Sequence, residues 1–243
     1  MTTDIEPRIV ICIPGKWRNI DELAQQLSAH SSTFSLADNR FVDRQLQVEL
    51  ELQVTDYDPR MAQAFRALGP HWVETAAMDQ INEHTLVVYL TGHGGSHPQA
   101  ISLMLAAAAL VKAGGLGVKI ESSGIAHSPE AWIKLADERH LFSAHEAFVA
   151  YVTGDDLYTC GMHGFGLRDA VIAIGEADDP LTLLRVFTWY LFTETPAIRS
   201  GQIFSVAEEQ PRYRLVEEAC TQYEVEELFK NQYGMWRLAR VVE

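Results

Sequence analysis

Two glycine-punctuated segments hold most of the side chains in this chain that could do chemistry. The first, Thr91-Gly92-His93-Gly94-Gly95-Ser96-His97, stands where an apolar β-type run gives way to a helical pattern; the second, Cys160-Gly161-Met162-His163-Gly164-Phe165-Gly166-Leu167, separates two β-type runs. Backbone amides at a strand-to-helix turn can hold an anion, which makes Gly92, Gly94, Gly95 and Ser96 a candidate small-anion site. Gly92 and Gly94 fit the start of GxGxxG, but His97 stands where its third glycine belongs, and GxxxxGK[ST] is absent, so neither nucleotide motif is met. In the second segment, three glycines in six positions call for positive φ or close backbone approach beside large side chains. The segment is either a tight corner or a binding lip. As a lip it offers Tyr158, Met162, His163 and Phe165 to a partner.

The other reactive residue types do not form complete motifs. Among nine histidines, His93 and His97 are four apart, yet Gly94, Gly95 and Pro98 oppose a helix through both, and there is no HExxH; no metal site is expected. Glu121, Glu130, Asp155, Asp156 and Asp169 could supply an acid–base pair only in opposed environments, which spacing does not provide. The three cysteines, Cys12, Cys160 and Cys220, are widely separated and lack CxxC spacing, which points away from a disulfide framework and a thiolate zinc site. No cofactor is expected. The run VVYLTGHGG, residues 87–95, resembles the histidine motif of caspase-like cysteine peptidases, which implies a hydrolase with His93 as base. The place of that fold's nucleophile is Glu121-Ser122-Ser123-Gly124, without a thiol, so Cys160 would have to serve from another strand.

The elements that must carry these residues alternate between strand and helix. Residues 9–13 form an apolar β-type run ended by Pro14-Gly15, and Asn19 can cap a helix bearing Ile20, Leu23, Ala24 and Leu27. Residues 34–36 suit a short strand, and Leu46, Val48, Leu50, Leu52 and Val54 alternate as a strand with one wet face. Asp58-Pro59 opens a helix through Met61, Ala64 and Leu68, and 85–90 reads as a central strand buried on both faces. A helix over 98–113 ends at Gly114-Gly115, a strand follows at 117–121, and Ser128-Pro129-Glu130 starts a helix over 131–136. Strands are expected at 147–153, 168–174, 202–206 and 213–216, with a helix over 181–192 opened by Asp179-Pro180. Tyr223, Val225, Leu228, Phe229, Tyr233, Trp236 and Leu238 form an aromatic stripe on a terminal helix or extended arm.

This order predicts an α/β (α+β) protein. Two ferredoxin-like sheet-and-helix units, 1–92 and 93–243 with a terminal arm over 220–243, are expected to pack into one body without a flexible linker, bringing the two glycine loops near each other. With 243 residues, 47% hydrophobic, the chain can bury a sizeable core. Its formal charge of −14, from 19 basic against 33 acidic residues, opposes nucleic-acid binding and favours encounter with a basic protein. The acidic run Glu217, Glu218, Glu224, Glu226 and Glu227 is a solvated face or a docking surface for such a partner. The longest apolar stretch, 103–111, is too short to cross a bilayer, and Met1-Thr2-Thr3-Asp4-Ile5-Glu6 has no export signal, so a cytoplasmic protein is expected.

The segment Tyr158-Thr159-Cys160-Gly161-Met162-His163-Gly164-Phe165-Gly166-Leu167-Arg168-Asp169-Ala170 resembles the bacterial family known as domain of unknown function 4261. That family has a Thr-x-Gly-Leu/Met stretch, then Phe-Gly and usually Pro-Glu, where this chain has Arg168-Asp169. The strand 171–174, the helix 181–192, and upstream the helix 100–113 with Ser128-Pro129-Glu130-Ala131-Trp132 fit the same order, so the likeness covers 84–195. The resemblance implies no catalysis and no cofactor, and it favours an interaction protein. The expectation is therefore a non-enzymatic, immunity-type or adaptor protein that neutralises a basic bacterial partner such as a secreted toxin. The alternatives are a hydrolase using His93 and Cys160 and an anion sensor using residues 92–96; the oligomeric state is open.

Overall fold

A computed structural model describes residues 6–38, 40–45, 48–224 and 227–241. Residues 1–5, Leu46, Val225 and Glu226, on which some expectations above rest, lie outside the described residues. The fold is mixed α+β, with seven α-helices and two sheets among the described residues.

The first sheet is built from β1 (Arg8–Gly15), β2 (Phe34–Ala37), β3 (Arg40–Asp43), β4 (Val48–Asp56), β5 (Leu86–His93), β6 (Val118–Ile120) and β7 (Ala126–His127). Its order is β2-β3-β4-β5-β1-β6-β7, and every adjacent pair is antiparallel. β5 lies between β4 and β1, with Leu52 and Ile11 both in register with Leu90. Its apolar run follows from burial on both faces. Val88 and Leu90 join the main core, where α1 (Ile20–His30) and α4 (His97–Lys112) also pack, while Val87 joins a smaller core under α2 (Met61–Leu68) and α3 (Ala76–Gln80). β1 divides the same way, Ile9, Ile11 and Ile13 to one core and Cys12 to the other.

The second sheet contains β8 (Ala150–Thr153), β9 (Asp156–Cys160), β10 (Asp169–Ala173), β11 (Ile203–Phe204), β12 (Tyr213–Glu218) and β13 (Met235–Arg240). Its order is β11-β12-β13-β10-β9-β8, with β10 and β13 parallel and the other pairs antiparallel. Between the sheets come α5 (Pro129–Glu138) and α6 (Leu141–Phe148), and α7 (Pro180–Glu194) packs on β10 and β9. One apolar core runs from Ile9 of β1 through the alanine-rich α4 to Leu238 of β13.

Several expectations need revision. Two ferredoxin-like units are not confirmed: the first sheet has split crossovers, β1-α1-β4 running parallel on either side of β5 and β5-α4-β6 on either side of β1, but the second sheet sets β10 and β13 side by side in parallel, which an antiparallel ferredoxin-like sheet does not. A division at residues 92 and 93 falls inside β5, and the first sheet continues to His127. The terminal arm supplies β13, an inner strand. Residues 147 and 148, expected in a strand, close α6.

Candidate functional site

The two glycine loops meet where the sheets adjoin. Gly94 N donates to Pro7 O at 2.8 Å and Gly95 N donates to Gly164 O at 2.9 Å. A methyl group on Gly94 would collide with the Gly164 carbonyl, and one on Gly161, at φ +126°, with the Phe148 carbonyl. These contacts overturn the anion site at Gly92, Gly94, Gly95 and Ser96. The amides of Gly94 and Gly95 are spent on chain carbonyls, the Gly92 backbone is ladder-paired opposite Ile9, and Ser96 Oγ caps α4, accepting from Gln99 N at 3.4 Å.

The same close approach turns the expected lip inwards. Met162 and Phe165, on the 3-10 turn Met162–Phe165, are core residues, and the Phe165 ring lies 4.4 Å from that of Phe192. Half-buried Tyr158 places its hydroxyl 3.1 Å from that of Tyr223. Of the four proposed contact residues, His163 lines a cavity.

His93 and Cys160 belong to different sheets and have different partners. The exposed His93 imidazole has Nδ1 2.9 Å from Glu6 Oε1. Buried Cys160 donates weakly to Ser122 O at 3.9 Å and Phe229 O at 3.7 Å. Burial pushes its thiol far up, the Asp169 charge adds to this, and a hydrogen bond with Tyr223 opposes it, so thiolate is suppressed. Among the described residues no hydrogen bond joins His93 to Cys160, and the hydrolase pair is not assembled. Nor, among the described residues, do three His, Cys, Asp or Glu side chains gather as a metal site.

A cavity of about 350 Å³ opens beside the meeting loops, with Pro7, Arg8, Thr91, Ser122, His163 and Lys230 among its walls. The His163 side chain is 11% exposed, and among the described residues neither ring nitrogen has a hydrogen-bond partner. Nδ1 stands 3.8 Å from Asp169 Oδ2, beyond hydrogen-bond reach. Asp169, buried at the start of β10, is fixed from three sides: Oδ1 accepts from Thr159 Oγ1 at 2.9 Å and Met162 N at 3.2 Å, and Oδ2 from Asn231 Nδ2 at 2.6 Å. Thr159 Oγ1 in turn accepts from Ala170 N. Asp169 was one of five candidate carboxylates; Thr159 and Asn231 gave no signal, because their partners are set by the pairing of β9, β10 and β13.

A second surface was also missed. Phe142 on α6 (45% exposed) touches Trp189 on α7 at 5.6 Å, and the next residue, Tyr190, touches Phe204 of β11 at 5.9 Å, beside Ile203 (50% exposed). Exposed Glu138, Glu194, Glu208 and Glu209 belong to the same or adjoining segments. The expected acidic docking run is partly neutralised instead: Glu217 pairs with Arg168, and Glu218 with Arg237 at 2.8 Å.

Comparison of the chain with family models, curated proteins and solved structures finds no match.

Proposed function

We propose that this chain is a non-enzymatic binding protein of immunity or adaptor type, acting in the cytoplasm on a basic bacterial protein such as a secreted toxin. The observation that carries this reading is a pair of apolar patches, exposed Phe142 against half-buried Trp189 and exposed Tyr190 against half-buried Phe204 beside exposed Ile203, on a body of formal charge −14. Exposed aromatic side chains backed by half-buried ones suit the anchors of an interface with a polar rim. The acidic exterior supports a basic partner by steering encounter and repelling acidic competitors, nucleic acids among them. Separation of His93 from Cys160 removes support for the hydrolase alternative, and no helix among the described residues is long and apolar enough to cross a membrane.

Capture on the immobilised chain, compared with its Phe142→Asp/Tyr190→Asp variant, tests the reading. A basic protein should be retained by the parent, released by raised salt, and bound about 100-fold or more weakly by the variant, since two interface anchors are lost. The variant's unfolding midpoint, measured alongside, shows whether lost binding reflects lost anchors or lost fold, since Tyr190 is 36% exposed and packs on Phe204. Equal retention by parent and variant, or turnover of peptide or ester probes by the pure chain, defeats the proposal.

A further inference from the structure

Each sheet has two edge strands, and the edge at β8 stands open. β7 and β11 have two residues each, and on β2 the Phe34 N–H is taken by Ser31 Oγ at 3.3 Å. β8 pairs with β9 on one side only. Gly154 N donates to Asp156 O at 2.9 Å, which makes Thr153 and Leu157 a non-hydrogen-bonded pair. By the alternation of an antiparallel ladder, Tyr151 and Thr153 then turn their N–H and C=O groups away from β9. Among the described residues, nothing bonds to these four groups. Such an edge is a template for another strand, and proteins commonly blunt it with lysine, proline or a bulge. Residues 147–157 contain no lysine, arginine or proline, and the register of β8 with β9 is unbroken.

The neighbours of this edge say what fits it. Phe142 meets Trp189, and one helical turn along Glu146 Oε1 stands 3.6 Å from Arg185 Nε. The Arg185 guanidinium lies 5.7 Å from the Tyr151 ring, which carries the proposed binding surface onto β8. Beyond Thr153, exposed Asp155 pairs with no basic side chain among the described residues, whereas Asp156 is held by Arg237 at 2.9 Å. Half-buried Val152, in register with Tyr158, offers apolar contact. A second copy of this chain would bring another charge of −14 and its own Asp155 to the edge, which opposes self-pairing. Resting on the reading of this chain as a binder of a basic protein, we infer that β8 receives an extended segment of that partner, which joins the second sheet as a seventh strand. The segment bonds to the backbone of Tyr151 and Thr153, packs an apolar side chain beside Val152, and sets a lysine or arginine against Asp155.

Labelled peptides added to the full chain test this: a short peptide of alternating lysine and valine, the same with its central valine replaced by proline, and the same with glutamate for lysine. The lysine–valine peptide should slow amide exchange at Tyr151 and Thr153 about tenfold or more, while Ala150 and Val152, already bonded to β9, change little. Neither control peptide should do so. Thr153→Lys, which guards the edge without altering the backbone, and Thr153→Pro, which removes an outward N–H, should each weaken peptide binding about tenfold or more. Thr153 is exposed, so Thr153→Lys should keep the parent's unfolding midpoint. The inference is overturned if Tyr151 and Thr153 exchange as in the free chain, if the proline peptide protects them equally, if Thr153→Lys binds like the parent, or if sedimentation shows a dimer that Thr153→Lys dissociates. Capture of a whole partner is scored on Phe142→Asp/Tyr190→Asp and peptide protection on β8, so either can fail while the other stands.

Discussion

His127 and His145 show how burial sets charge. His127 is fully enclosed, its Nε2–H donating to Ala147 O at 3.0 Å, and loss of hydration pulls its pKa down to about 4. His145 reaches about the same value by burial, helped by the Arg185 charge, with Nε2 3.1 Å from Thr188 Oγ1. Both pKa values lie below the ordinary 6.5, so the unfolded chain binds protons first. Stability is therefore complete above pH 6.5, falls as pH drops toward 4, and levels off below it, by about 3 kcal/mol for each ring. Urea midpoints across that range should record the decline, and His145→Gln should remove roughly half of the histidine-dependent part; an unchanged slope would refute the assignment. The positive φ of Gly161 and Gly166 was legible in the glycine spacing. The inward turn of Met162 and Phe165 was not, because a 3-10 turn between strands has no periodicity from which a buried face can be read.

At the scale of elements, legibility followed the strength of the local pattern. The strand at β5, the caps of α1 and α5 at Asn19 and Ser128, and Asp179-Pro180 opening α7 all follow from adjacent residues. β3 was missed because four residues, Arg-Phe-Val-Asp, carry too short an alternation to register, and it is held by pairing with β2 and β4. The terminal arm was ambiguous between helix and strand, and its parallel partner, β10, lies more than sixty residues earlier, as in Asp169 opposite Met235. Since β13 separates β10 from β12, deleting 231–243 should expose both their edges and remove Asn231 from Asp169. Hydrogen exchange should then show protection lost across β10 and β12 but kept in β4 and β5; retained protection in β10 would show that β13 is dispensable.

Over the whole molecule, one continuous core binds both sheets, with α4 in contact with β1, β5, α1, α5 and α6. No local pattern could announce this sharing, since it depends on contacts between residues as distant as Ile9 and Gly164. A shared core predicts that tryptophan fluorescence and far-ultraviolet circular dichroism trace one coincident unfolding transition; two separated transitions would mean that the sheets are independent. The order of strands also bears on synthesis. A nascent chain can pair β1 with β5 and β6 early, but β10 and β12 wait for residues 235–240 to clear the ribosome. Until then a half-built sheet presents bare strand edges to the crowded cell, so premature termination in this last stretch would yield sticky fragments and a demand for chaperones.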